Sequence, residues 1–174
     1  EAARVSRGLV QEKAIHAAEA LGVVIEVAGL GKAFATRIGP VSRKIGARHR
    51  PRALRVAVLG HGSVGAGVCQ HLLAHPGRFQ LNPVLVRDAA AHARTGPAEL
   101  RFTADVVEAL EGHPDIVVET LGGIGAARSL SQSVLRDGMH LVTANKAVIA
   151  LDFERLHELA AEGGRQLRYS AAVG

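Results

Sequence analysis

Three glycines, Gly60, Gly62 and Gly65, stand at the spacing G-x-G-x-x-G within VAVLGHGSVGAG, Val56 to Gly67. An apolar run that breaks into glycines gives the backbone freedom at a point where a large anion can approach it. Between a strand and a helix, the first glycine permits the tight turn. The second lets a pyrophosphate reach the backbone, and the third allows the helix to pack closely on the strand. Ser63 and Val64 then open the helix, whose N–H groups and dipole favour phosphate. This chemistry is dinucleotide binding. Its alternative is a purely structural turn.

The kind of dinucleotide depends on the end of the next strand, about twenty residues further on, where an acid binds the ribose 2′-OH of NAD. This chain has Arg87 and then Asp88. Arg87 comes first after the apolar run, and a guanidinium pairs a 2′-phosphate in bidentate fashion. NADP is therefore favoured, with NAD as the alternative. Arg94 is a further cation, and His61 reads as a surface residue of the loop.

The elements that must hold these residues alternate between strand and helix. LRVAVLG (Leu54 to Gly60) is a strand closed by glycine, and Val64 to Leu73 has helical spacing. LNPVLVRD (Leu81 to Asp88) reads as a strand with a loosely paired opening at Pro83. A polar, alanine-rich loop follows, then a short helix capped by Thr103 and ending at Leu110. DIVVET (Asp115 to Thr120) is a buried strand, Ala126 to Arg136 a helix, and Met139 to Ala144 a strand. Phe153 to Glu162 is helical, and Gln166 to Ser170 begins a last strand. Strands separated by helices of about ten residues imply βαβ units and a doubly wound parallel α/β sheet of the Rossmann kind.

Composition agrees with this fold. The 174 residues are 48% hydrophobic and 21% charged, which suits one globular domain with a real core. Aromatic residues make up only 3%, so the core is built from Val, Leu, Ile and Ala. The single cysteine, Cys69, excludes an internal disulfide and reads as packing in a reducing, cytoplasmic setting. No apolar run is long enough to span a bilayer. Residues 1–52 hold ten Lys/Arg against four acids, and residues 53–174 eleven against twelve. The excess charge belongs to a basic leader and linker, 1–52, ahead of a domain, 53–174. Without interleaved aromatics the leader does not read as a nucleic-acid contact. It carries one helix, Leu9 to Leu21, and one apolar run, Val23 to Val27. Its GLGK (Gly29 to Lys32) is not a phosphate loop, because Glu26 and Ala33 replace the required glycine and hydroxyl residue. The chain opens on Glu1 and closes on Gly174 in a run of small residues, and both ends read as cut from something longer.

GHGSVGAG, VLVRD, DIVVETLGG, LVTANKAVIA and LRYSAAVG follow one another in an order and spacing that resemble the nucleotide-binding half of homoserine dehydrogenases, over Leu54 to Gly174. The TANK segment, Thr143 to Lys146, after an E-x-x-G-G turn is the most diagnostic piece. The resemblance implies interconversion of L-homoserine and L-aspartate 4-semialdehyde with NAD(P)H, in threonine and methionine biosynthesis, by an enzyme that is homo-oligomeric at full length. It implies that Lys146 is the active-site lysine beside the carbonyl oxygen. Thr120, Gly122 and Gly123 would line the nicotinamide ribose, and Thr143 and Asn145 would shape the pocket floor.

The family's catalytic aspartate and second lysine belong to a substrate domain beyond Gly174, so the chain alone is expected not to turn over. The glutamate that helps bind a monovalent cation is replaced by Ser170, which leaves the Val173 carbonyl as the remaining metal contact. The lysine often found after VRD is absent, with His92 the nearest substitute. Two other readings stay open: a non-catalytic NAD(P)-binding regulatory module, and a dehydrogenase acting on another amino-acid-derived substrate.

Overall fold

The structure, a computed structural model, describes residues 52–169. The leader's helix, apolar run and GLGK lie outside these residues, as do Ser170 and Val173. Seven strands form one parallel sheet: β1 (Leu54–Leu59), β2 (Phe79–Leu81), β3 (Val84–Leu85), β4 (Phe102–Thr103), β5 (Ile116–Glu119), β6 (His140–Thr143) and β7 (Leu167–Tyr169). The order across the sheet is β4-β3-β1-β5-β6-β7, with β2 also paired to β1. The helices are α1 (Ser63–Leu73), α2 (Ala89–Thr95), α3 (Val106–Ala109), α4 (Gly125–Arg136) and α5 (Lys146–Glu162).

The sequence alternates across the sheet as a doubly wound fold requires. Ala57, Leu59, Val117 and Leu141 face one core layer with Val134 and Leu135 of α4 and Val148, Leu156 and Leu159 of α5. Val56, Val58, Val118 and Val142 face the other, with Val68, Cys69 and Leu72 of α1. Both faces are covered, so the central strands are continuous apolar runs rather than alternating ones. Cys69 is packing, as its sequence context implies, and burial pushes its thiol pKa up to about 12. From β1 the chain builds outward through β3 and β4, then returns to β5, β6 and β7 on the other side. The order therefore reverses between β3 and β5, above the carboxyl end of β1, where such sheets bind ligands.

Four local expectations are corrected. The strand expected over Leu81 to Asp88 is two short strands, split at Asn82-Pro83. Pro83 has no N–H for the ladder, and the Asn82 amide instead donates to the carbonyls of Ala109 (3.0 Å) and Glu111 (2.9 Å). The alanine-rich loop after it is helix α2, because the Asp88 carboxylate accepts from the Ala91 N–H at 2.8 Å and caps it. Asp105, not Thr103, caps α3, accepting from the Val107 N–H at 2.8 Å. Thr103 ends β4 and donates its hydroxyl to Glu108 at 2.6 Å. Finally, α5 begins at Lys146, seven residues before the expected Phe153.

The expectation at α5 failed because Asp152 breaks the helical geometry (φ −125°, ψ 19°). Its almost fully buried carboxylate accepts from Arg128 Nε (2.8 Å) and Nη2 (2.6 Å) on α4, and from Gln132. These bonds pin the kink to the neighbouring helix. The Arg128 hydrogen bonds hold the Asp152 carboxyl below the usual carboxylate range. A carboxyl with a depressed folded pKa adds stability above its unfolded value, about 3.9, and that stability is lost as pH falls through the folded value. Asp152→Asn is expected to cost about 1–2 kcal/mol at pH 7. In urea unfolding across a pH series, the gap between variant and parent should close as the solution becomes acid enough to protonate Asp152.

Candidate functional site

Parallel strands end together, so the segments after β1, β3, β5 and β6 share the carboxyl edge of the sheet. Gly60 follows β1 with φ +101°, in the left-handed region, and a Cβ there would lie 2.8 Å from the Thr120 carbonyl oxygen. Gly65, on the first turns of α1, is tighter still: a Cβ would meet the Gly60 oxygen at 2.1 Å and Thr120 Oγ1 at 2.7 Å. The Thr120 hydroxyl donates to the carbonyls of Leu59 (3.1 Å) and Gly60 (3.0 Å). Thr120 thus locks the glycine turn to β5 through its side chain.

Gly62 is different. Among the described residues nothing lies within 4 Å of where its Cβ would be, although it is the N-cap of α1 and its backbone (φ −78°, ψ −166°) is open to any residue. No side chain among the described residues caps α1, and no acid stands in its first turn. The helix thus presents uncapped N–H groups to an open space that a side chain at Gly62 would enter. That cradle fits the pyrophosphate of a dinucleotide. Ser63 is exposed and Val64 half-buried beside it.

On the other side of β1 the E-x-x-G-G and TANK segments form one hydrogen-bonded unit. The Asn145 amide donates to the carbonyls of Leu121 (3.1 Å) and Gly123 (2.6 Å), while its oxygen caps α5 by accepting from the Val148 N–H at 3.3 Å. Gly123 sits at φ +79° and Gly122 has open space around it. Thr143, buried, accepts from the Asn145 N–H at 3.0 Å and donates to Glu119. Lys146 is exposed at the first position of α5, whose first turn holds no acid. A cation at a helix N-terminus opposes the helix dipole, so the edge is positive there by construction.

Arg87 is exposed at the end of the segment after β3, away from the TANK unit and next to the Asp88 cap. Asp88 spends one carboxylate oxygen on that cap.

One residue in this region, the glutamate of E-x-x-G-G, has no role assigned from the sequence. Glu119, at 0% exposure, ends β5 beneath the two linked segments. Its carboxylate accepts from the Leu121 N–H at 2.7 Å and from the Thr143 hydroxyl, beside the Asn145 side chain. Burial pushes its pKa above the usual value, against the pull of those donors. The available signal was an acid at the end of an otherwise apolar buried strand, DIVVE.

No helix among the described residues is long and apolar enough to cross a membrane. No group of three or more His, Cys, Asp or Glu among them could hold a metal ion.

A doubly wound parallel sheet with this turn and this cradle defines a dinucleotide-binding domain. Comparison with known proteins identifies it further: residues 60–170 match the family model for the homoserine dehydrogenase NAD binding domain. The chain belongs to that family. It is 34% identical over 128 residues to homoserine dehydrogenase from Synechocystis, and 34% identical over 130 residues to that from Corynebacterium glutamicum. Each alignment covers 70% of this chain, and 30% and 29% of those relatives. Among solved structures, homoserine dehydrogenase from S. aureus superposes with a TM-score of 0.62 at 30% identity, covering 71% of this chain and 33% of that one. The chain therefore spans about a third of the length of the relatives it matches.

Proposed function

We propose that this chain is the cofactor-binding part of a homoserine dehydrogenase that uses NADP in preference to NAD. The reaction would be the interconversion of L-homoserine and L-aspartate 4-semialdehyde, a step toward threonine and methionine. The observation that carries the reading is the joined E-x-x-G-G and TANK unit, which stands beside the Gly60–Gly65 cradle on one edge of the sheet. A glycine loop alone would identify only the cofactor class. The bound cofactor supplies hydride exchange at its nicotinamide.

The residues of the chain bind and orient. The backbone of Gly60, Gly62, Ser63, Val64 and Gly65 would hold the pyrophosphate at the start of α1. Gly122 and Gly123, free of side chains on the far side of β1, leave room for the nicotinamide ribose, with Thr120 fixing the turn between them and the glycine loop. Thr143 and Asn145 form the floor. Lys146, at the positive start of α5, lies where a cation would stabilise negative charge developing on a carbonyl oxygen accepting hydride. The catalytic acid–base groups belong to the two-thirds of the relatives' length that this chain does not cover, so the chain alone is expected to bind cofactor without oxidising homoserine.

Arg87 is assigned to the 2′-phosphate. In a titration followed by nicotinamide fluorescence, which no tryptophan in the chain obscures, NADPH should bind more tightly than NADH. Arg87→Ala should weaken NADPH by about tenfold or more while changing NADH little. Equal losses for both would remove Arg87 from this assignment, and saturation by neither would overturn the cofactor reading itself.

A further inference from the structure

Three rings from three different elements meet on the Arg87 side of the carboxyl edge. His61 comes from the glycine turn, His92 from α2 and Phe102 from β4. Their centroids lie 5.7 Å (His61–His92), 4.9 Å (His61–Phe102) and 5.3 Å (His92–Phe102) apart. His92 is oriented by its Nδ1, 2.9 Å from the Asp88 carbonyl oxygen. A carbonyl only accepts, so Nδ1 carries hydrogen and Nε2 is the basic nitrogen. The ring is anchored on the backbone of the residue next to Arg87.

Two imidazoles this close resist being charged together. Burial, and then His92, hold the His61 imidazole below its ordinary value. The other charged groups on and between the surrounding elements are Arg87 itself, Asp88, Arg94 on α2, Glu99 and Arg101 before β4, Asp105 at the start of α3 and Glu108 on it. Three of the acids are engaged, Asp88 on the Ala91 N–H, Asp105 on the Val107 N–H and Glu108 on Arg101 (3.1 Å) and Thr103, while Glu99 is exposed. An arriving phosphate dianion changes the balance, because a nearby opposite charge favours the protonated imidazole.

Resting on the dinucleotide reading above, we infer that His92, backed by His61, forms with Arg87 a titratable subsite for the 2′-phosphate of NADP, so that pH sets cofactor choice together with the guanidinium. NADPH binding then takes up a proton that NADH binding does not. Its advantage over NADH grows as pH falls from the range where the imidazoles are neutral toward the range where they charge.

The test uses the full 174-residue chain. The ratio of NADH to NADPH dissociation constants is measured by nicotinamide fluorescence at pH 8.5 and at pH 6.5. For the parent chain the ratio should rise about fivefold between the two. In His92→Gln it should stay nearly flat. The second ionisation of the 2′-phosphate, near pH 6, is common to both proteins and cancels in their comparison. Calorimetry with adenosine 2′,5′-bisphosphate in two buffers of different ionisation enthalpy should show proton uptake by the parent and much less by His92→Gln or His61→Leu. If His92→Gln loses its thermal transition, His61→Leu and the parent's own proton uptake decide. Parallel pH profiles with no proton uptake would overturn the subsite and leave the cofactor reading standing. Failure of both NADPH and NADH to bind at every pH would overturn that reading and the subsite with it.

Discussion

Gly65→Ala is expected to abolish cofactor binding by destabilising the fold, whereas Gly62→Ala, three residues earlier in the same motif, is expected to abolish it with the fold intact. A Cβ on Gly65 would lie 2.1 Å from the Gly60 oxygen and 2.7 Å from Thr120 Oγ1. Neither atom is the free end of a flexible side chain. The oxygen is backbone, and the hydroxyl is bonded to Leu59 and Gly60. Helix α1 must therefore move away from β1, at a cost of about 3 kcal/mol, and the turn that shapes the cradle moves with it. At Gly62 the space is empty and the backbone is ordinary, so alanine leaves the unfolding free energy within about 0.5 kcal/mol. Its methyl group still occupies the approach to the first turn of α1, and NADPH affinity should fall by at least about a hundredfold, equivalent to nearly 3 kcal/mol. Urea unfolding and NADPH titration of both variants separate the two effects. A Gly62→Ala chain that binds NADPH normally would show that phosphate does not approach the backbone there.

The second large effect is expected at Glu119. Glu119→Ala removes the acceptor shared by the Leu121 N–H and the Thr143 hydroxyl and leaves a cavity at a fully buried position. Stranded buried donors and lost packing together should cost about 3 kcal/mol or more. The damage is local to the unit that joins E-x-x-G-G to TANK, so NADPH affinity should fall even at temperatures where the variant remains folded. Glu119→Gln keeps the volume and one acceptor oxygen and should recover much of the stability. Its pH dependence should differ from that of the parent. A carboxyl whose pKa is raised by burial opposes folding when ionised, so the parent should gain stability relative to Glu119→Gln as pH falls from neutral toward the carboxylate range. Differential scanning calorimetry at pH 7 and pH 5 measures this. A stability difference that does not change with pH would mean that Glu119 is ionised equally in both states.

The tie between Glu119, Thr143 and Asn145 also shows why the two motifs act together. They are adjacent because β5 pairs with β6 in register, Glu119 opposite Thr143. The side chains of TANK then reach across to the turn after β5. Thr143 and Asn145 support this unit from within, and Lys146 stands at its end, at the start of α5.

Much of this was legible in the sequence because it depends on local chemistry. The alternation of strand and helix from β5 onward, the buried strands LRVAVL and IVVE, the glycine turn and the packing of Cys69 all follow from period, composition and the conformational freedom of glycine. In other places a long-range partner had overruled a local pattern, whereas the caps Asp88 and Asp105 that the reading missed act locally. Asn82 and Pro83 split one strand because α3 and the residues after it offered carbonyls to the Asn82 amide. The helix read from Phe153 lacks the first two turns of α5, which run up to Asp152. Asp152 makes a kink held by Arg128, twenty-four residues earlier. Glu119 could be seen as an acid in an apolar strand, but its Thr143 donor comes from a segment that only the pairing of β5 with β6 brings beside it.

The sequence by itself determined the class of domain and the family resemblance, since both reside in residues whose types and spacing are chemically demanding within a few positions. Tertiary structure alone decided which of those residues stand open at the sheet edge and which are packed beneath it. Gly62 is open and Gly65 is packed shut, and Thr120 and Thr143 direct their hydroxyls into the protein. Such distinctions depend on how closely a helix approaches a strand and which neighbour is in register, and no local spacing records either.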